Sequence, residues 1–412
     1  MAIHVIDEAN RCLQCKKPLC RTGCPVNTPI PQMINLLLNS QIGTAGKMLF
    51  DNNPLSIACS LICNHDNQCE GHCILNKKSS PIHIGTIEQY ISNSYLDSAE
   101  IDCAPSNGIM AAIIGAGPAG ITIAVELRKK GYDVTIFEAN DKIGGIMRYG
   151  IPEFRLPKTI LDRLGKKLNE IQIKLRPNVL IGPSITIDDM FRDGYKSIFI
   201  GTGVWRPKKL GIPGESLGNV HFAIDYLKNP ESYNLGERVV VIGMGNSAVD
   251  VARTAIRHKV RNLRIVTHSL KSTARETELE YAQIDGAELI YGLSIQRITP
   301  GGPIFCKNIF DDEGNIIGQE DEEVLMESDS VIIAISQGPM NRLVTSTSDL
   351  KANEKGLLIT NAYGETTRRG IFGAGDVVHG AKTVVEAVSY SKKVAHQMDL
   401  FMQDLPFEDM PS

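Results

Sequence analysis

MAAIIGAGPAGITIAVELRKKGYDVTIFE, residues 110–138, decides how the larger part of this chain folds. Ala111–Ile114 is a short apolar run of the kind that forms a buried strand. Gly115, Gly117 and Gly120 then spell G-x-G-x-x-G, the residues from Pro118 onward carry a helical pattern, and Asp133–Glu138 reads as the following strand. The three glycines permit, in turn, a tight turn, a close backbone approach to a pyrophosphate, and close packing of helix on strand. The pyrophosphate would rest at the helix N-terminus, beside Pro118 and Ala119, where the helix dipole favours negative charge. Glu138, 18 residues beyond Gly120, stands where it can accept hydrogen bonds from an adenosine ribose.

The signature recurs at 238–258. Val239–Ile242 is the strand, and Gly243, Gly245 and Ala248 give G-x-G-x-x-A, with Asn246, Ser247 and Asp250 filling the helix start. The next strand, Leu263–Val266, ends in Thr267-His268-Ser269 with no acid. An acid there would repel a 2′-phosphate; its absence, with Lys271 and Arg275 close by, favours NADPH modestly over NADH. His268, Ser269 and Arg275 are the candidate contacts. Strands alternate with helices from Met110 onward, the pattern of parallel α/β sheets.

Before Met110 the texture differs. Nine of the ten cysteines precede residue 104, among segments of helical patterning such as PQMINLLLNS and IGTIEQYISNSYL, and DCAPSNG (102–108) is linker-like. The 412 residues are 42% hydrophobic and 22% charged with a net charge of -4, a globular composition that favours neither nucleic acid nor an anionic membrane as partner. No stretch approaches the roughly 18 uninterrupted apolar residues of a membrane span. No leader-like segment is visible, so a cytoplasmic protein is expected, in which stable disulfides are disfavoured.

RCLQCKKPLCRTGCPVN (11–27) places Cys12, Cys15, Cys20 and Cys24 as C-x2-C-x4-C-x3-C-P, and Cys59, Cys63, Cys69 and Cys73 follow as C-x3-C-x5-C-x3-C. Zinc would suit paired cysteines, yet it is redox-inert beside two nucleotide units. The Cys-Pro ending approximates the bacterial ferredoxin run, in which the fourth cysteine serves the other cluster. Iron–sulfur clusters are therefore expected ahead of zinc or disulfides. His65, His72 and His83 are expected at the surface or behind the ligands. Cys103 and Cys306 are isolated, which argues against a dithiol mechanism, and Tyr149 and Trp205 are expected to pack rather than to act.

KIGGIMRYGIPEFRLP follows the first unit, and its Gly144–Gly145 pair allows a second close backbone approach. RRGIFGAGDVVHGAKTVVEAV, with Gly375, Asp376 and a helix beginning near Thr383, resembles the second FAD motif of two-dinucleotide-domain flavoproteins. IFIGTGVWRP, with Thr202 and Gly203, resembles the strand that ends their first FAD segment. The resemblance makes FAD the ligand of the first unit. Gly145, Ile146, Gly150, Ile151, Thr202, Gly203, Asp376, Thr383 and Gly338 join the candidate cofactor contacts.

EANRCLQCKKPLCRTGCP, NNPLSIAC, QCEGHC, PIHIGTIEQ, GIPEFRLPK and GAGDV, in that order, make nearly the whole chain resemble one family. It includes the glutamate synthase small subunit, the large subunit of bifurcating NADH-dependent ferredoxin:NADP oxidoreductase, and the flavin half of dihydropyrimidine dehydrogenase. The resemblance implies a glutathione-reductase-like α/β flavoprotein with an N-terminal α-helical iron–sulfur domain. Its parts would be 1–106 for two [4Fe–4S] clusters, 107–215 plus 336–412 for FAD, and 216–335 for NAD(P)H. It also implies that Cys73 joins Cys12, Cys15 and Cys20 at one cluster. Cys24, Cys63, Cys69 and Glu88 would hold the other, with Cys59 a buried non-ligand; an all-cysteine second site would use Cys59 instead. Relatives usually place proline where Asn64 follows Cys63.

The expected chemistry belongs to the cofactors, with no catalytic side chain. Hydride passes between NAD(P)H and FAD, and single electrons pass between FAD and the clusters. With no further substrate-reducing domain in the chain, electrons are expected to be exchanged with a partner subunit in a hetero-oligomer. A stand-alone reductase of ferredoxin or a small acceptor is the alternative, and a wiring subunit with a degenerate nucleotide site a third.

Overall fold

The computed structural model describes residues 4–409. Two compact units divide the chain: one takes the chain up to Arg148, Glu153–Val204 and everything from Pro339, and the other takes Tyr149–Pro152 and Trp205–Gly338.

In the first unit the described residues before Met110 are helical and contain no strand. The helix Ile84–Leu96 turns Ile84, Ile87 and Ile91 inward at i, i+3 and i+7. They pack with Ile30, Met33, Ile34 and Leu49 of the helices Ile30–Leu38 and Ile42–Asn52, forming a core that also takes in Cys69. Glu88, one residue after Ile87, falls on the same inward face and is 7% exposed.

Behind these helices lies a five-stranded parallel sheet in the order Ile371–Gly373, Tyr195–Ile200, Met110–Ile114, Asp133–Phe137, Lys174–Arg176. Its register sets the site. Ile114 pairs with both Phe137 and Ile200, and Ile200 pairs with Gly373. Gly115, Glu138, Gly201 and Ala374 therefore leave the sheet at one level of one edge, the carboxyl edge where ligands of such sheets sit. The helices Pro118–Lys129 and Val384–Met402 pack against each other and against the sheet.

The second unit repeats the scheme with Val220–Phe222, Ser330–Ile333, Arg238–Ile242, Asn262–Val266 and Ala287–Ile290, all parallel. Ile242 pairs with Val266 and with Ile333, so Gly243, Thr267 and Ala334 emerge together. An antiparallel sheet of Leu293–Thr299, Gly302–Phe310 and Ile316–Leu325 is inserted before its last strand. Among the described residues, no helix is long and apolar enough to cross a membrane.

Candidate functional site

The glycine turn of the first unit is held from two sides. The Ala116 amide donates to Glu138 Oε2 at 2.7 Å, and the Asn140 amide and side-chain Nδ2 both donate to Glu138 Oε1 at 2.8 Å. Glu138 thus fixes the turn through the oxygen pair that sequence reasoning reserved for a ribose; its remaining lone pairs are what a ribose could use. Gly144 N donates to Ala116 O at 2.8 Å, bringing the second glycine pair onto the first. A Cβ on Gly145 would stand 2.8 Å from the Gly117 Cα, and one on Gly120 would stand 1.9 Å from the Gly115 carbonyl oxygen. A Cβ on Gly375 would meet the Ala119 Cβ at 3.0 Å, which brings the GAGD loop against the same helix start.

Gly115, Gly117, Pro118, Ala119, Gly120, Gly145 and Gly375 are thereby gathered from three separate stretches, with Thr202 and Gly203 following the neighbouring strand. The backbone around Gly117 is bare: a Cβ there would have Gly145 Cα as its nearest neighbour, at 3.9 Å. That leaves the kind of cradle a pyrophosphate occupies. Asp376 opens the short helix Asp376–His379, and its Oδ1 accepts from the Lys382 amide at 3.1 Å. Burial pushes its carboxyl up to about 6. Thr383 caps the helix Val384–Met402 in a reciprocal box with Glu386, aiming a helix N-terminus from the same loop. These residues fit FAD. Ile146 begins the short helix after Gly145. Gly150 and Ile151 fall in the short segment that belongs to the second unit, where Tyr149 meets Trp205 edge to face at 6.5 Å.

The eight clustered cysteines sort into two groups, and no disulfide joins any of them. Cys12, Cys15, Cys20 and Cys73 line one pocket, which encloses about 550 Å³ including its open mouth and is walled by Ile30, Ile34, Ile82 and Ile84. Burial, then the neighbouring thiols of Cys73, Cys12 and Cys15, push Cys20 up to about 11. The second group is deeper. Burial raises Cys69, and the Glu88 carboxylate is the next influence on it, with Glu70 and Cys24 behind. Cys63 is raised by its hydrogen bond with Cys59 and by burial, and Glu88 and Cys69 also act on it. Burial raises Cys24 against a 3.2 Å contact with the Thr28 hydroxyl, and Glu88 acts here too.

Cys24, Cys63, Cys69 and Glu88 therefore share one neighbourhood. Burial and then Glu70 push the Glu88 carboxyl up to about 8. It accepts no hydrogen bond from any described residue. An unpartnered buried carboxylate is costly, and a bound cation is one of the few groups that relieves it. Cys59 touches Cys63 from the previous helical turn and is 2% exposed. No three Cys, His, Asp or Glu side chains among the described residues close around a single ion. The donor sets, four thiols and three thiols with a carboxylate, fit clusters larger than one ion. His72 is exposed, while the His65 ring packs against Gly85.

Sequence reasoning did not find the contacts behind Cys24. Thr28 is buried, and Asn52 Nδ2 donates to its hydroxyl at 3.4 Å. The Ser389 hydroxyl donates to the Pro25 carbonyl at 2.9 Å, and Lys392 Nζ to the Asn52 carbonyl at 2.7 Å. Only Thr28, four residues past Cys24, offered a signal. Ser389 and Lys392 lie more than 300 residues away.

In the second unit Gly243 has a φ of +108°, and a Cβ there would strike the Ala334 oxygen at 2.5 Å. The stretch after the neighbouring strand folds back onto this turn. Ser272 Oγ donates to Met244 O at 2.7 Å, the Thr273 and Ala274 amides reach the same oxygen, and the Arg275 amide donates to Asn246 Oδ1 at 3.2 Å. Lys271 and Arg275 are thus tied to a loop that closes on the turn. His268 is exposed with its carbonyl held by Asn308, while Ser269 bonds Thr267 and Lys271. Ser247 follows Asn246 on the helix Asn246–Arg257, whose buried residues include Ala248 and Asp250. Gly245 faces only Thr273 Oγ1, at 3.4 Å, leaving the close backbone approach a dinucleotide needs. Gly338 pairs with Arg206 in a two-stranded ribbon.

Residues 2–100 match the family described as dihydropyrimidine dehydrogenase domain II, 4Fe-4S cluster, and residues 110–391 the family described as pyridine nucleotide-disulphide oxidoreductase. The chain is 30% identical to the glutamate synthase [NADPH] small chain of Azospirillum brasilense, over 94% of this chain and 87% of that protein. It is 27% identical to the NAD-dependent dihydropyrimidine dehydrogenase subunit PreT homolog of Salmonella typhi, over 97% and 94%. FprA of Mycobacterium tuberculosis in complex with NADPH shares the fold at a TM-score of 0.60, with 17% identity over 73% of this chain and 85% of that one.

Proposed function

The chain belongs to the pyridine nucleotide-disulphide oxidoreductase family and, over nearly its whole length, to that of the glutamate synthase small chains. On that premise we propose that this flavin oxidoreductase with a 4Fe-4S domain is an electron-transfer subunit, drawing on NAD(P)H and exchanging single electrons with a partner protein in a hetero-oligomer. When bound, FAD would supply the exchange between a two-electron hydride carrier and one-electron centres. The chain's own residues hold and separate these groups. The turn from Gly115 to Gly120 offers a pyrophosphate the bare backbone at Gly117 and the helix start that follows it, with Glu138 locking the turn from behind. Asp376 and the Thr383-capped helix start serve the flavin from the opposite side of the sequence.

Cys12, Cys15, Cys20 and Cys73 would hold one [4Fe–4S] cluster, and Cys24, Cys63, Cys69 and Glu88 the other. In the second unit Gly243, Gly245, Asn246 and Ser247 would bind the dinucleotide, with Lys271 and Arg275 favouring NADPH. The intact turn speaks against a wiring subunit with a degenerate nucleotide site.

The observation that carries this reading is the hydrogen bond between Ser389 and Pro25. It joins the residue after Cys24 to the helix that starts at the flavin motif, so the second cysteine group is the one anchored to the flavin-binding part. Electrons would pass through that group before the surface group. Anaerobic mixing with NADPH should bleach the flavin first and the cluster absorption second. Flavin bleaching with the clusters left oxidised would overturn the proposal.

A further inference from the structure

The segment Cys24–Thr28 folds back on its own cysteine. Pro25 follows Cys24 in a turn closed by the Asn27 amide, which donates to the Cys24 carbonyl at 2.8 Å. Asn27 has a φ of +50°, a left-handed value that asparagine tolerates better than most residues, and the chain so bent returns Thr28 to the cysteine. The Val26 and Thr28 amides donate to the Cys24 sulfur, and the Thr28 hydroxyl lies 3.2 Å from it. At Cys12, Cys20 and Cys69 the donors are backbone amides, of Gln14, Arg21 and Glu70.

The direction of that hydroxyl is set from behind. Asn52 Nδ2 donates to Thr28 Oγ1 at 3.4 Å, which occupies an oxygen lone pair and leaves the proton for the sulfur. Asn52 ends the helix Ile42–Asn52, and its backbone carbonyl accepts from Lys392 Nζ at 2.7 Å. Thr28 is 3% exposed, so little water competes for the bond. A cysteine that ligates iron does so as thiolate, which makes the hydroxyl the donor of the pair.

Resting on the cluster assignment above, we propose that Thr28, aimed by Asn52, is a positioning residue that raises the reduction potential at the second cysteine group by donating to the Cys24 thiolate. An electron taken up there puts more negative charge on the sulfur, and a charge-assisted donor favours the more negative state. Thr28 keeps its proton, so one electron and no proton is gained. A raised potential at the group tied to the flavin-binding part by Ser389 favours transfer away from the flavin.

The test is anaerobic EPR potentiometry with dithionite on the full-length, cofactor-loaded protein, with iron content measured in parallel. The potential that moves in Glu88→Cys identifies the second cluster. Thr28→Val keeps the side chain's shape without its hydroxyl. It should lower that potential by about 59 mV, a tenfold change in a one-electron equilibrium, with about eight irons retained. Thr28→Ser should restore the potential. Asn52→Ala should lower it by less, and should add nothing to Thr28→Val, where no hydroxyl is left to aim.

An unchanged second potential in Thr28→Val overturns the proposal. So does an equal fall at both clusters, or a Thr28→Ser variant as low as Thr28→Val; either makes Thr28 a packing residue. Should Thr28→Val lose iron, Asn52→Ala decides, and an unchanged potential there overturns the proposal. If NADPH never bleaches the flavin, the proposed function fails separately, and the dithionite series still decides the role of Thr28.

Discussion

The Ser389 hydroxyl donates a 2.9 Å hydrogen bond to the Pro25 carbonyl, tying the segment after Cys24 to the helix capped by Thr383. Ser389→Ala removes a part-buried bond and should cost about 1 kcal/mol in a denaturation series. The kinetic effect should be selective. Flavin reduction by NADPH keeps its rate in stopped-flow, because its contacts are untouched, while the following cluster reduction slows. Equal slowing of both phases would show that Ser389 acts on the whole fold.

Glu88 is buried on the inward face of its helix, beside three cysteines and with no hydrogen-bond donor among the described residues. As a ligand it should be needed for half the iron. Glu88→Ala should drop iron from about eight to about four atoms per chain, and Glu88→Cys should restore it with a changed reduction potential. Cys59→Ser should keep about eight, since Glu88 then supplies the fourth ligand of the second cluster. Loss of a cluster in Cys59→Ser, with Glu88→Ala intact, would exchange the two roles.

Glu88 also marks where sequence reading gains and loses its grip. The strand Met110–Ile114 and the glycine turn are legible because an apolar run and a φ-permissive turn act locally. The helix Ile84–Leu96 is legible for the same reason. That Glu88 meets Cys24 and Cys69 is not local, because it depends on how three helices pack, and only resemblance supplied it. Glu138 shows a subtler limit. Its position was legible, but its carboxylate is committed to the Ala116 and Asn140 amides, a choice made by loop geometry. The loop after Val266 is a third case. Nothing in its composition announces that Ser272, Thr273 and Ala274 bond Met244.

Gly120 and Gly145 test the cradle. A Cβ on Gly120 would stand 1.9 Å from backbone oxygen, and Gly145 has a φ of +51° with its Cβ path closed by Gly117. Gly120→Ala should push the helix off the sheet and lose flavin, read as the ratio of flavin to protein absorbance after purification. Gly145→Ala should also weaken retention, by at least about tenfold in FAD affinity, because its φ is left-handed and the new Cβ would meet backbone, the Gly117 Cα at 2.8 Å, and not a side chain that can turn aside. Full flavin content in both variants would move the FAD site elsewhere.

Asp399 supplies a pH dependence of its own. Against the burial that would raise it, hydrogen bonds from Lys130, Tyr132 and Gln403 hold its carboxyl below the usual value. The Lys130 and Tyr132 contacts are both 2.6 Å. A depressed pKa means the contribution is complete above the unfolded value near 4 and is lost as pH falls through the folded one. Asp399→Asn should therefore cost about 1–2 kcal/mol at pH 7, with the gap to wild type narrowing below about pH 4. A gap that stays constant across that range would show that the charge contributes nothing.

The nucleotide preference can be decided at the loop that closes on the second glycine turn. The Arg275 amide is pinned to Asn246, and the Met244 carbonyl gathers Ser272, Thr273 and Ala274. Lys271 and Arg275 are therefore carried on backbone that is fixed before any ligand arrives, which lowers the entropy lost on binding a phosphate. A charge-assisted contact to a 2′-phosphate contributes enough that losing one or both cations should raise KM for NADPH at least about tenfold. NADH lacks that phosphate, so its KM should hold in Lys271→Ala with Arg275→Ala, and the ratio of the two kcat/KM values reads the difference. Equal losses for both nucleotides would mean the pair supports the loop rather than the phosphate, and His268 and Ser269 would then face no 2′-phosphate at all.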